Sequence, residues 1–462
     1  MRIHIAEGLQ PEWESILERN PLPSEGLAIA QDQSEDDAII SLYSVDWEKA
    51  PPQIPEKSRD SQTKVLKTSY FAPTIHIWDR LGENPTDISD LPLHPLVNIK
   101  PPLRALPVRG LYPGESGYPY TRRLVLRLDI VSPDGIPINV EEWMQGIPPA
   151  PPVSRIVWIA AVGDVMPGRG VDRILAGTQG DREVFGDLLP IMQKADLLIG
   201  NLEGAVTTGG SRRKKSYTFR FDPRTVEDLR NAGFDYLSLT NNHSYDFGEE
   251  GFIDSLMHLE SAGIGTSGAG LSPEEAAEPW KWNRDDLEVR ILAMAAYPPE
   301  RNGFNGRREM EVNETRPGIL WIGEAAVENI GESFGPESFD IVLVHGGEEW
   351  ALKPDFEQIE LYRSLIDAGA DAVVGSHSHV FQGIESYGGG IIAYSLGNYV
   401  FPGMEETKYG EDSAILLMGI WRGSLIYLNL TPVKIDGRRL SIDTSRTIVR
   451  RIQELSRELQ AR

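Results

Sequence analysis

Five short polar clusters stand directly after apolar, strand-like runs, and they constrain this chain more than any other feature. They are Gly163-Asp164-Val165-Met166, Asn201-Leu202-Glu203, Asn241-Asn242-His243, His345-Gly346-Gly347 and Gly375-Ser376-His377-Ser378-His379. An apolar run that ends in Asp, Glu, Asn or His puts a polar side chain at a strand end. Five such ends at one edge of one sheet are how an α/β metallohydrolase assembles a site. Asp, Glu, Asn and His together suit two divalent ions.

Each cluster has a chemical reading and a plain structural one. Asp164 offers a hard anionic oxygen after a glycine turn, or it caps a helix. Glu203 binds or bridges metals, or is a surface carboxylate; Asn201 beside it shapes the turn. Asn242 can offer its amide oxygen. His243 can stabilise charge or pass a proton to a leaving group, with Asp246 orienting its second nitrogen. The other reading makes these a turn Asn and a structural His. His345 follows the apolar 341–344 run, and Gly346 and Gly347 allow close backbone approach. His377 and His379 are the strongest pair, because residues i and i+2 of an extended chain face the same side. Four of only eight histidines lie in these clusters, which favours a shared role. Ser395 and Asn398 end a further strand and can contact substrate or orient ligands. The basic run Arg212-Arg213-Lys214-Lys215 either draws an anionic substrate or is a solvated loop.

With 462 residues the chain can form two or three cores. Its 45 basic and 69 acidic residues give a net charge of −24, which argues against nucleic-acid binding and against an anionic membrane surface. The absence of cysteine excludes disulfides, thiolate metal sites and cysteine nucleophiles. No apolar run is long enough for a transmembrane helix, and the N-terminus lacks a signal-peptide core. The protein is therefore expected to be cytoplasmic, or the chain lacks its export segment. Residues 1–147 read as a Pro-rich α+β domain with a strand at 124–131 and turns at 112–114 and 132–135. A stiff Pro-rich linker covers 148–152. Residues 153–445 follow, with strand runs at 156–162, 196–199, 236–239, 289–295, 341–344, 372–374 and 391–395. Helical stretches at 226–232, 250–262 and 358–368 lie between them, which predicts a largely parallel sheet with helices on both faces. Antiparallel strands are expected after 414. Ile448, Ile452, Leu455 and Leu459 predict a closing amphipathic helix within 446–462.

Residues 156–404 resemble the CapA family of poly-γ-glutamate capsule biosynthesis proteins, within the calcineurin-like metallophosphatase superfamily. The blocks carrying the resemblance are 163–169, 201–203, 241–248, 345–349 with Pro354 and Gln358, 371–385 and 395–401. The resemblance implies a four-layer α/β sandwich with two divalent ions, Mn, Fe or Zn. It implies Asp164, Glu203 and His379 near one ion, Asn242, His345 and His377 near the other, and His243, with Asp246, as the catalytic pair. Arg169, Asn201, Glu349, Gln382, Glu385, Ser395 and Asn398 fall in the same blocks as substrate contacts or ligand-orienting groups. Met166 stands where the superfamily's Asp-x-His motif has its histidine, so one site is a ligand short, although Met at this position also looks like the CapA family's own habit. Gly346 and Ser378 also depart from the family's usual Trp and Pro.

Three functions follow as expectations. The first is a dimetal hydrolase of capsule metabolism that attacks a phosphoester or amide with metal-bound hydroxide. The second is a non-catalytic accessory that holds an anionic polymer, such as poly-γ-glutamate, for the capsule synthesis machinery. The third is a phosphatase outside capsule metabolism. The resemblance also suggests a cell-surface or extracytoplasmic setting. The segment around 111–120 is faintly similar to a solute-binding lobe.

Overall fold

The structure is a computed structural model. It describes residues 156–460 apart from positions 286, 301–302, 336, 422 and 446; of residues 1–155 it describes only the backbone of seven strands. The chain divides into two compact units, one drawn mostly from residues 1–155 and one holding Ile156–Arg462. In the first, Thr121–Ile130 lies antiparallel to both Ile39–Asp46 and Gln62–Trp78, and Arg2–Ile5 runs parallel to Ile39–Asp46. The strand expected at 124–131 falls on the first of these. The predicted turns, the 148–152 linker and the solute-binding likeness lie outside the described residues.

The main strands of the second unit are β1 (Val157–Val165), β2 (Leu197–Leu202), β3 (Tyr236–Ser238), β4 (Trp280–Arg284), β5 (Leu287–Ala296), β6 (Ser338–Gly346), β7 (Ala372–Ser376), β8 (Phe381–Tyr387), β9 (Gly390–Leu396), β10 (Asn398–Val400), β11 (Asp412–Trp421), β12 (Ser424–Asp436) and β13 (Arg439–Ile442). They form two sheets. One runs β3-β2-β1-β11-β12, with β10 continuing beside β1 and β13 beside β12. Its first three strands are parallel and β11 turns antiparallel. The other runs β4-β5-β6-β7-β9-β8, parallel from β5 to β9 and antiparallel at both edges.

The strand pattern alone predicted one sheet with helices on both faces. Instead the seven runs divide between two sheets that pack on each other. Ile159, Ala161, Leu197 and Ile199 of one sheet share a core with Ile291, Ala293, Ile341, Leu343 and Val374 of the other. The opposite side of the second sheet presents Leu292, Met294, Val342, Val344 and Val373 to Ile330, Ile359, Tyr362 and Leu365, which lie on the helices Glu324–Ser333 and Phe356–Asp367. Strands covered on both faces read as continuous apolar runs, so the text does not say what covers each face. Each such buried aliphatic side chain contributes about 1.5–3 kcal/mol. Two sheets packed face to face, the second backed by helices, match the layering of the four-layer sandwich the resemblance implied.

The helix Thr447–Gln460 buries Ile448, Ile452, Leu455 and Leu459. Its Ser456 Oγ accepts a 3.0 Å bond from the Ile384 N–H of edge strand β8, satisfying a donor that an uncovered edge would leave open. Among the described residues, no helix is long and apolar enough to cross a membrane.

Candidate metal centre

The polar clusters converge at the carboxyl ends of both sheets, not at one edge of one sheet. Asp164 is the penultimate residue of β1, Glu203 follows β2, and Asn242 and His243 lie just beyond β3. From the other sheet, His345 is the penultimate residue of β6 and His377 follows β7. Their side chains are all buried. His377 and His379 have φ of 90° and 59°, so the chain between them is not extended. The expected i, i+2 projection is therefore replaced by two left-handed turns, with ring centroids 6.3 Å apart. Positive φ is uncommon for residues with a Cβ, and such strain collects at functional sites.

The ligand-type atoms lie close together. Those of Asp164, Glu203 and His345 fall within 4.8 Å of one another. His379 Nδ1 is 3.4 Å from Asp164 Oδ2, and its Nε2 is 3.8 Å from Glu203 Oε1. His345 Nε2 lies 3.2 Å from Asn242 Oδ1 and 3.0 Å from His377 Nδ1. Glu203 tests whether this set fits a cation: both its carboxylate oxygens are buried without a hydrogen bond. Burial, and next the charge of Asp164, raise its pKa well above the usual carboxylate range. His345 and His377 are held well below the usual imidazole range by burial and by neighbouring histidines. Neutral imidazoles around an unsatisfied carboxylate are the donor set a divalent cation takes.

Asn201 and Asn398 hold this set in place. Asn201 Nδ2 donates to Asp164 Oδ1 at 2.8 Å, while its Oδ1 accepts from Asn241 Nδ2 at 3.0 Å. Asn398 Oδ1 meets His379 Nδ1 at 2.9 Å, and its amide donates to the His379 and Gly410 carbonyls. Ser395 Oγ accepts from Gly397 N–H at 3.0 Å and sets the turn before Asn398. Gly397 O in turn accepts from Asp164 N–H at 2.9 Å. That contact explains Gly163: a Cβ there would lie 1.9 Å from Gly397 O. Gly163→Ala is expected to cost about 1–3 kcal/mol or more, because backbone must move on both sides. Urea denaturation of the metal-free protein measures it; an unchanged midpoint would refute the contact.

His243 Nδ1 lies 2.6 Å from Asp246 Oδ2, and its Nε2 lies 3.7 Å from Glu203 Oε1. One nitrogen is thus held and the other faces Glu203. Burial, and next the Lys215 charge, lower the His243 pKa against the opposing pull of Asp246. Phe219 packs on the His243 ring at 4.3 Å, and Trp350 stacks on His379 at 4.8 Å.

Four other residues from the matched blocks stand apart from these contacts. Arg169 is exposed, donates to Pro402 O and lies 5.5 Å over the Phe219 ring. Glu349 is half-buried, and its charge raises Glu203. Gln382 donates to Ala351 O and accepts from Gln358, bracing the loop after His345. Glu385 pairs with Arg363 and accepts from Tyr394 Oη at 2.6 Å; neither partner belongs to the cluster.

Residues not foreseen complete the surroundings. Tyr297 packs on His345 and His377 at 5.6 and 5.2 Å. Ser376 Oγ lies 2.9 Å from His345 Nδ1. Lys215, from the basic run, is not a solvated side chain: it is buried against Asp246 and Glu300. The run itself was the one signal for it; Tyr297 and Glu300 follow a strand with no motif to mark them.

Comparison with known proteins gives consistent results. The chain is 30% identical over 278 residues to "PGA biosynthesis protein CapA" of Bacillus subtilis (strain 168), spanning 59% of this chain and 70% of that protein. It is 30% identical over 310 residues to "Capsule biosynthesis protein CapA" of Bacillus anthracis, spanning 64% and 72%. A crystal structure of a novel phosphatase from Mycoplasma pneumoniae aligns with a TM-score of 0.41 at 13% identity, over 62% of this chain and 95% of that one. Residues 158–403 match the family described as "Bacterial capsule synthesis protein PGA_cap", and the chain belongs to that family.

Proposed function

We propose that this protein is a dimetal-dependent hydrolase of capsule polymer metabolism, acting on a phosphoester or an amide. The observation that carries the reading is the buried, unbonded Glu203 carboxylate amid Asp164, His345, His377, His379 and Asn242. Asp164, Glu203 and His379 would hold one ion; Asn242, His345 and His377 would hold the other. Bound ions supply Lewis-acid polarisation and a nucleophile at neutral pH. His243 keeps its Nδ1 on Asp246 and takes up or returns a proton at Nε2, which faces Glu203. Poly-γ-glutamate is a candidate substrate through the resemblance to the CapA family; the relatives' names speak of PGA and capsule biosynthesis.

The accessory reading draws on Met166. It is buried and occupies the position of the superfamily's first histidine, so no seventh ligand is available there. On this reading the metal-loaded centre would hold an anionic polymer without cutting it.

Purified protein incubated with Mn²⁺, Zn²⁺ or Fe²⁺ and either a phosphoester or poly-γ-glutamate decides between the two. The expected result is metal-dependent turnover that His377→Ala abolishes, with the substrate cleaved naming the bond class. Stoichiometric metal with turnover of neither substrate would give the accessory role instead.

A further inference from the structure

Lys215 is an ammonium in an unusual place. Its side chain is 1% exposed, in a loop where three neighbouring cations face solvent more openly. A buried ammonium is costly unless its donors are met. Here three acceptors meet them: Asn242 O at 2.6 Å, Glu300 Oε1 at 2.9 Å and Asp246 Oδ1 at 3.1 Å. The ring of Phe304 lies 4.7 Å from the same nitrogen. Each acidic partner then reaches one functional side chain. Asp246 uses its other oxygen, Oδ2, on the Phe219 N–H at 2.6 Å and on His243 Nδ1 at 2.6 Å. Glu300 Oε1 accepts from Asn242 Nδ2 at 3.4 Å, which turns Asn242 Oδ1 toward His345.

We propose that Lys215 is the positioning residue of this centre: one buried cation fixes both the His243 imidazole, through Asp246, and the Asn242 amide oxygen, through Glu300. A carboxylate only accepts hydrogen bonds. With Oδ1 on the ammonium and Oδ2 on a backbone N–H, Asp246 cannot rotate, and His243 carries its proton on Nδ1. The Glu300 contact assigns the Asn242 amide in the same way: nitrogen away from the ligand cluster, oxygen toward it. Of the basic run, Lys215 thus reads as an internal brace and not as part of a surface that attracts substrate.

Lys215→Met keeps the stem volume and removes the charge. Two measurements read it, neither of them turnover. The first is Mn²⁺ affinity by calorimetry, which rests on the dimetal reading above. The second is the His243 tautomer in ¹⁵N-histidine-labelled metal-free protein, which does not; the signal is assigned by its loss in His243→Gln. The expected results are a 10–100-fold weaker affinity for one of the two ions, the range for outer partners of metal ligands, and a mixed His243 tautomer where wild type shows Nδ1–H alone. Lys215→Arg is not expected to restore either, since a planar fork cannot reach the same three acceptors. Unchanged Mn²⁺ affinity with an unchanged tautomer overturns the proposal. If wild type binds no Mn²⁺, the dimetal reading fails and the tautomer alone decides the role of Lys215. If Lys215→Met does not fold, Lys215→Met/Glu300→Gln, which leaves one fewer unpaired charge, is measured in its place; wild-type values there overturn the proposal equally.

Discussion

Glu203→Gln is expected to abolish tight metal binding and, in the same protein, to stabilise the metal-free form. These opposite effects share one cause. The Glu203 carboxylate is fully buried, neither oxygen is hydrogen-bonded, and Asp164 adds a like charge nearby. A buried carboxylate with no hydrogen bond and a like charge beside it costs several kcal/mol, more than its longer-range attraction to His379 returns, and an amide of the same shape removes that charge. The pH dependence has a definite sign. Glu203 has its folded pKa raised, so folding takes up a proton there; the protonated form is favoured at low pH, and stability falls as pH rises toward the folded value. Burial pulls His379 down, but Glu203 and Asp164 outweigh it and push it up to about 9. Its contribution is complete below an ordinary imidazole pKa of about 6.5 and is lost as pH approaches its folded value. Metal-free wild type should therefore lose stability from neutral pH to about pH 9, and Glu203→Gln should flatten that slope by removing the main partner of His379. Mn²⁺ calorimetry tests the loss of metal binding, and thermal melts in chelator at pH 6, 7.5 and 9 test the stability and its slope. A metal-free variant less stable than wild type would sink the argument, as would undiminished metal affinity.

The strand ends were legible because each couples a long apolar run to a residue type that rarely ends up buried without a partner. Asp164, Glu203, His345 and His377 stand where such runs stop, and the structure gathers all four. Their division between two sheets was not legible. A strand covered by a helix on one face and by a second sheet on the other has the same text as one between two helix layers. The backbone at His377 and His379 was also hidden, since the left-handed turns fall on residues with no intrinsic preference for them. Lys215 was masked by its neighbours. A run of four basic residues reads as solvated, and only Asp246 and Glu300, distant in sequence, single out one of them for burial. Glu385 shows the converse. It lies in a block that carries the family resemblance, yet its bonds go to Arg363 and Tyr394. A motif shows that residues recur together, not which face of a strand each occupies.

Asp246→Asn should separate chemistry from metal binding more cleanly than loss of any ligand. Both Asp246 oxygens accept: Oδ1 from Lys215 Nζ at 3.1 Å, Oδ2 from Phe219 N–H and His243 Nδ1 at 2.6 Å each. An asparagine has one acceptor and one donor end. With its NH₂ toward Lys215 it opposes an ammonium; with its NH₂ toward Phe219 it opposes a backbone N–H and also forces His243 to accept at Nδ1. The second orientation puts the ring proton on Nε2, the nitrogen that faces Glu203 at 3.7 Å. In the second orientation His243 loses its Nδ1–H tautomer; in the first it keeps that tautomer but loses the carboxylate charge that holds it, while Asp164, Glu203, His345, His377 and His379 keep every contact described above. On the hydrolase function proposed above, the expected outcome is unchanged metal stoichiometry with kcat lowered about 10²–10⁴-fold, the usual worth of a positioned acid–base group. KM should change little, because Asp246 is buried behind His243 and cannot touch substrate. Stability should fall by about 1–3 kcal/mol, since one buried donor is left facing another. Full activity in Asp246→Asn would remove His243 from the chemistry. A fall in metal content matching the fall in kcat would instead make the pair a structural support for the ligands.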